Sequence, residues 1–278
     1  MKLELRDIGI PPRPSILNDI DQEFRKDTPD FLRLARIIST DVALAAGLIK
    51  TTNSPFFGIG KKVATVHEAL LLLGLKMVVK TISGLALQQT FKHVPQMERF
   101  WCASAATARV AGQLTRELGV QYQVRPEDAY TFALFRDCGI PVLMIPFPEY
   151  RTVLVHANSE QQRMFTEIED GELGLNHATV GAGLAHDWHL PEELCEAILY
   201  HHDLSRLSGE LADALPPKTS RLIAIAQLAE HLIQTSTGLT QNAEWEKLGA
   251  CCLRLLELEE SDIPRLTEAC AEVIAADY

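Results

Sequence analysis

Apolar residues recur at three- and four-residue spacing almost from end to end of the chain, while sustained period-two alternation is scarce. That pattern predicts an all-α protein. Local punctuation cuts it into helices. Thr28-Pro29-Asp30 opens one whose stripe is Phe31, Leu34, Ile37 and Ile38; Asp41 caps the next, carrying Leu44, Leu48 and Ile49 as far as Thr52-Asn53-Ser54-Pro55. Thr65-Val66-His67-Glu68 reads as a capping box, in which the Thr65 hydroxyl accepts from the Glu68 N–H and the Glu68 carboxylate accepts from the Thr65 N–H. Its helix ends at Gly74, and an amphipathic segment runs from Leu75 to Phe91.

Further on, a long helix from Met97 to Leu118 closes at Gly119, Pro126 starts another toward Cys138-Gly139, and Pro141, Pro146 and Pro148 mark a connection. Asn176 is the N-cap of a helix through about Trp188, and Pro191-Glu192-Glu193 begins one that ends near His201-His202-Asp203. The segment Gly209 to Ser220, with Pro216-Pro217, reads as a loop. Helices follow around Arg221–Gln234, Ala243–Leu256 and Ile263–Ala275.

Charge limits the partners. With 26 Lys+Arg against 37 Asp+Glu the net charge is −11, the wrong sign for a chain that gains affinity by neutralising phosphates, so no nucleic-acid partner is expected. No apolar run approaches the roughly 20 residues of a bilayer span. The start, Met1-Lys2-Leu3-Glu4-Leu5-Arg6-Asp7, is too charged for a signal peptide, so a cytoplasmic protein away from membranes is expected. Six cysteines (Cys102, Cys138, Cys195, Cys251, Cys252, Cys270) form no C-x-x-C pair and read as small core residues, with one thiol of Cys251-Cys252 less buried than the other.

Chemistry falls to the histidines. His177 and His186 are nine residues apart, too far along one helix to share an ion, and His201 and His202 point about 100° apart around a helix, so any metal site must be assembled from several helices. Taken singly, each histidine reads as structural: His186-Asp187 as a surface dipeptide, His189 as a loop residue, His201 or His202 as a helix C-terminal residue. Phosphate-cradling glycine motifs and the G-x-S-x-G elbow are absent. Asn53-Ser54-Pro55-Phe56-Phe57-Gly58 reads as a turn whose phenyl rings fold into the core, with Phe56 or Phe57 as the candidate interaction residue if one is exposed.

These segments carry a resemblance. Pro12-Arg13-Pro14, Asp41-Val42-Ala43-Leu44, Asn53-Ser54-Pro55-Phe56-Phe57-Gly58, Val66-His67-Glu68-Ala69, Leu73-Gly74-Leu75, Phe100-Trp101, Arg136-Asp137-Cys138-Gly139, His177-Ala178-Thr179-Val180-Gly181, Leu190-Pro191-Glu192-Glu193-Leu194 and Tyr200-His201-His202 together resemble the HDOD family over roughly Ile10 to Leu207. Members are helical output domains of bacterial signalling proteins, related to HD-type metal-dependent phosphohydrolases. The resemblance implies an HD-domain/phosphodiesterase-like multi-helical bundle: an N-terminal helical subdomain over 1–95, a degenerate HD-like core over 96–208 and a C-terminal helical extension over 209–278 packing on that core.

Catalytic HD relatives hold one or two ions with an early histidine, a His-Asp dipeptide, further histidines and a late aspartate. By resemblance those positions here are Ala103, Arg136-Asp137 and Gln227, leaving Asp137, His177, His201 and His202. Ala103 supplies no ligand, and Arg136 brings a fixed positive charge where a cation would sit. Arg136 is expected to pair with Asp137 or another buried carboxylate. The resemblance thus implies a non-catalytic regulatory module, without metal or other cofactor, that acts through contacts with signalling proteins of cyclic-dinucleotide or two-component pathways. Two alternatives stand beside it: a divergent metal-dependent phosphohydrolase using Asp137, His177, His201 and His202, and a sensor whose old catalytic cavity binds a phosphorylated or nucleotide-like ligand through Arg136.

Overall fold

The computed structural model describes residues 8–209, 214–239 and 241–276; the charged start 1–7 and part of the segment read as a loop lie outside them. Among the described residues there is no strand. They form two compact units, Pro12–His93 and the remainder.

The smaller unit holds α1 (Ser15–Phe24), α2 (Phe31–Ser39), α3 (Val42–Thr52) and α4 (Val66–Thr90). Asp30 and Asp41 cap α2 and α3, each carboxylate accepting from two first-turn N–H groups, and Thr65 with Glu68 forms the reciprocal box at the start of α4. Leu34, Ile38, Leu44, Leu48, Leu70, Val78 and Ile82 make its core. The Asn53 side chain bonds both the N–H and the carbonyl of Val63, closing the loop between α3 and α4. Phe56 is buried within that loop and Phe57 half-buried, so the turn offers no exposed phenyl pair. One expectation changes here. By length and composition α4 is apolar enough to cross a membrane. In the structure it bends at Gly74, whose φ of +74° a side chain would resist, and it buries Ala69, Leu70, Val78, Ile82 and Leu87.

The larger unit holds α5 (Glu98–Leu118), α6 (Pro126–Phe135), α7 (Gly139–Leu143), α8 (Tyr150–Ser159), α9 (Phe165–Leu173), α10 (His177–Asp187), α11 (Glu192–Tyr200), α12 (Leu204–Ser208), α13 (Pro217–Thr237), α14 (Glu244–Leu255) and α15 (Ile263–Ala275). The long helices α5 and α13 form its middle, with α6 and α15 packed against both and α14 against α13. The segment read as a loop through Ser220 is shorter than expected. Pro216 is the N-cap and Pro217 the first helical residue, where a missing N–H is harmless, so Lys218, Thr219 and Ser220 belong to α13. Cys251 and Cys252 are both buried; Cys102 is the exposed thiol. Helices α8 and α9 come after the proline connection and carry no strong cap signal, which is why the sequence pattern does not resolve them.

One close contact fixes α7 against α10. A Cβ on Gly139 would lie 2.0 Å from the carbonyl oxygen of His177, so the start of α7 rests backbone on backbone against α10. The same Cβ would lie 2.7 Å from the backbone nitrogen of Gly181, one turn along α10.

Candidate metal centre

Arg136 is the C-cap of α6, and Asp137 and Cys138 bridge to α7, so the Gly139 contact brings Asp137 up to the first residue of α10, His177. His201 is the C-cap of α11 with His202 next in the chain, and α11 packs on α10. Asp137 Oδ1 is 3.5 Å from His177 Nε2 and 3.4 Å from His201 Nε2, and the two imidazole nitrogens are 3.2 Å apart. A ring nitrogen of His202 completes a group of four donors that all lie within 4.8 Å of one another.

The outward nitrogen of each ring is already engaged. His177 Nδ1 donates to Glu169 Oε2 at 2.7 Å, His201 Nδ1 to the Ile198 carbonyl at 2.7 Å and His202 Nδ1 to Glu244 Oε2 at 2.5 Å. Because a carbonyl and a carboxylate only accept, each Nδ1 carries its proton and each Nε2 is left as the donor atom facing inward. Phe165 stacks on His202 at 5.1 Å between centroids and meets His177 edge-on, fixing both rings.

The residues present fit a first-row transition ion. Donors about 2.0–2.1 Å from such an ion stand about 3.3–3.4 Å from each other in a tetrahedron; the Asp137, His177 and His201 edges of 3.2–3.5 Å match that spacing, and the His202 nitrogen lies within 4.8 Å of the other three. Three imidazoles and one carboxylate are a set suited to zinc or cobalt rather than magnesium.

Arg136 lies on the far side of Asp137. Its Nε and Nη2 donate to Oδ2 at 3.1 and 3.0 Å, and Nη2 also reaches Glu230 Oε2 at 3.0 Å. Of the two partners expected for Arg136, Asp137 or another buried carboxylate, it takes both, the second being Glu230 of α13. The expected place of the charge differs, because Arg136 holds the oxygen turned away from the imidazoles and leaves Oδ1 for the cluster. Ala103 lines the adjacent cavity without offering a donor. Gln227 is buried in α13, outside both the donor group and the cavity lining. His186 and Asp187 are exposed on the surface, and His189 sits in a turn with φ of +60°.

Burial opposes charge on all these groups, and their neighbours decide the outcome. Burial works against the Arg136 guanidinium, but Asp137 and Glu230 raise its pKa above the usual value. Burial likewise disfavours the Asp137 carboxylate, yet Arg136 and the two imidazoles hold it well below the usual range. For His177, Glu169 and Asp137 overcome burial and raise the pKa to about 10. For His201, burial and the neighbouring His202 lower it to about 3. With no ion present, His177 is therefore held in its protonated form.

A cavity of about 410 Å³ opens beside the cluster, lined by Arg136, Asp137, His177, His202, Glu230 and Glu244 at its polar end and by Phe100, Met144, Leu154 and Phe165 on its apolar walls. Sequence patterning does not single out Glu169, Glu230 or Glu244. The first two share helix faces with apolar residues (Phe165 and Ile168; Ile223 and Ala226), a signal that could have marked them.

The chain is similar over 205 residues, at 29% identity, to an uncharacterized protein of Treponema pallidum (strain Nichols); the match takes in 72% of this chain and 39% of that one, so the chain spans about two fifths of that relative's length. Its fold is shared with an HDOD domain protein of unknown function from Geobacter sulfurreducens (TM-score 0.69, 23% identity, 96% of this chain and 92% of that one). It is shared too with a candidate phosphohydrolase from Shewanella amazonensis SB2B (TM-score 0.69, 17% identity, 98% and 96%). A third such fold belongs to a candidate signal transduction protein from Marinobacter aquaeolei VT8 (TM-score 0.64, 20% identity, 100% and 62%). The family model of the HDOD domain matches residues 10–204, the span that supplies all four donors of the cluster, and the chain belongs to the HDOD domain family.

Proposed function

We propose that the chain is a non-catalytic signal-transduction module that works through contacts with signalling proteins and is built around one closed transition-metal centre, held by Asp137, His177, His201 and His202. The carrying observation is the convergence of four protein donors while Asp137 Oδ2 is taken by Arg136. Four protein ligands are the pattern of a structural or sensing site, since a catalytic one keeps a position open for water. A two-metal hydrolytic site needs an oxygen shared between ions, and here a permanent guanidinium stands on the second oxygen of the only carboxylate in the cluster. A bound ion would supply positive charge and four directional bonds, tying α10 and α11 to the α6–α7 turn. The chain's own residues orient the imidazoles and hold the counter-charges.

The test is metal analysis of protein purified without chelator and then exchanged with zinc or cobalt(II), together with a phosphodiesterase assay of the loaded protein. One equivalent of metal, lost in Asp137→Ala, and no turnover are expected. Turnover abolished by Asp137→Ala would overturn the non-catalytic reading, and absence of metal uptake would overturn the metal centre.

A second reading, a sensor for a phosphorylated ligand in the cavity, is favoured by Arg136 Nη1, which is buried and has no hydrogen-bond partner among the described residues. A thermal shift induced by nucleotides or inorganic phosphate and lost in Arg136→Lys would support it; no shift at millimolar concentrations counts against it.

A further inference from the structure

The most completely enclosed acid among the described residues stands behind the donor cluster and is not one of its four donors. Glu169 has no exposed surface. On α9 it lies with Phe165 and Ile168 on the buried face, and both its oxygens are occupied. Oε1 accepts from the Tyr150 hydroxyl, and Oε2 accepts from the backbone N–H of His177 at 3.1 Å and from its Nδ1 at 2.7 Å. Tyr150 on α8 is itself fully buried.

Three features make this more than a structural bond. The His177 N–H is one of the first-turn donors that a helix leaves unsatisfied, so the carboxylate also sits at the positive end of α10. A carboxylate so enclosed is unfavourable unless positive charge lies near, and the nearest place for it is the far nitrogen of the same imidazole, which faces Asp137 and His201. His177 alone among the three histidines makes two bonds to one partner, so its rotation and its electron supply are set together.

We propose that Glu169, locked by Tyr150, is the positioning residue that sets how tightly His177 holds a transition ion. This rests on the proposed metal centre. A carboxylate on Nδ1–H raises the basicity of Nε2 and fixes its aim, whereas an amide in the same place keeps a hydrogen bond but withdraws the charge. Glu169 thus acts through His177 and never on the ion.

Cobalt(II) is the probe, because its visible absorption reports ligand strength and geometry directly. Wild type, Glu169→Gln, Glu169→Asp and Tyr150→Phe are titrated with cobalt(II) in competition with a chromophoric chelator, and the metal-free melting temperature of each is recorded. Glu169→Gln is expected to weaken binding about 10–100-fold with displaced absorption bands, Glu169→Asp to recover part of the affinity, and Tyr150→Phe to lose less than Glu169→Gln. Wild-type affinity and spectrum in Glu169→Gln, with only the melting temperature lowered, would overturn the proposal. Should Glu169→Gln fail to fold, unchanged binding in Tyr150→Phe would overturn it too. If wild type takes up no cobalt at all, the metal-centre reading itself fails, a result distinct from equal binding by wild type and variant.

Discussion

Arg136 binds a single oxygen of Asp137: Nε and Nη2 both converge on Oδ2, while Oδ1 remains 3.4–3.5 Å from the nitrogens of His177 and His201. The carboxylate is thereby divided between a permanent internal cation and a cage of donors. Removing the cation leaves Asp137 and Glu230 enclosed without their partner. Arg136→Leu is expected to cost about 3–5 kcal/mol, read as a lower midpoint in urea, and a midpoint equal to wild type would refute the pairing as a stabilising element. Adding Glu230→Leu to Arg136→Leu should recover part of the loss, because one of the stranded charges goes with it.

Gly139 gives a sharper steric test. Its missing Cβ would stand 2.0 Å from the His177 carbonyl, whereas at Gly181 the nearest neighbours are 3.1–3.3 Å away. Gly139→Ala should therefore destabilise the protein by about 3 kcal/mol or more and Gly181→Ala by about 1 kcal/mol. Gly139→Ala should also reduce metal uptake, since it pushes Asp137 off His177. Chemical denaturation with cobalt titration checks both, and equal effects at the two glycines would contradict the contact.

The proton on His177 sets a pH dependence for the metal-free protein. Its pKa is raised to about 10 in the fold, against about 6.5 in an unfolded chain. The stability it contributes is therefore fully present below about pH 6.5 and lost as the pH rises through about 10. With chelator present, the melting temperature should fall between pH 7 and pH 10, and saturating zinc should flatten that fall by replacing the proton. A metal-free protein whose stability rises over that interval would contradict the assignment.

The family match ends at residue 204, yet Glu230 and Glu244 come from α13 and α14. Truncation after residue 208 removes the partner of Arg136 on one side and that of His202 on the other. The shortened chain should be poorly soluble or lack near-ultraviolet circular dichroism; native-like spectra and full metal uptake would show that the later helices are dispensable.

Helix boundaries are legible where a side chain announces them. Asp30, Asp41, Thr65 with Glu68, and Asn176 all cap as their positions suggest, because a cap is a local interaction between neighbours in sequence. The same locality explains why the pattern misplaces Pro217: a Pro-Pro pair reads equally as loop or as the N-cap and first residue of a helix. At the site, Asp137, His177, His201 and His202 can be named from the sequence but not brought together. Taken singly, His201 looks like an ordinary helix C-terminal residue, and it does bond the Ile198 carbonyl as such a residue would. Its convergence with His177 depends on α10 packing against α11 and on Gly139, contacts that no spacing rule encodes. The acids behind the rings and behind Arg136 are hidden by abundance, since among 37 acidic residues Glu169 and Glu230 are marked only by the apolar faces they share and Glu244 not at all.

Lys247 lies one turn along α14 from Glu244, and its ammonium meets that carboxylate and the backbone carbonyls of Glu160 and Arg163, in the segment leading into α9. Glu244 steadies His202; α9 bears Glu169, which steadies His177. A single amine thus yokes the supports of two imidazoles that lie far apart in the chain. Any force that displaces α14 must pull on both at once, so the cage would loosen as a whole rather than one ligand at a time.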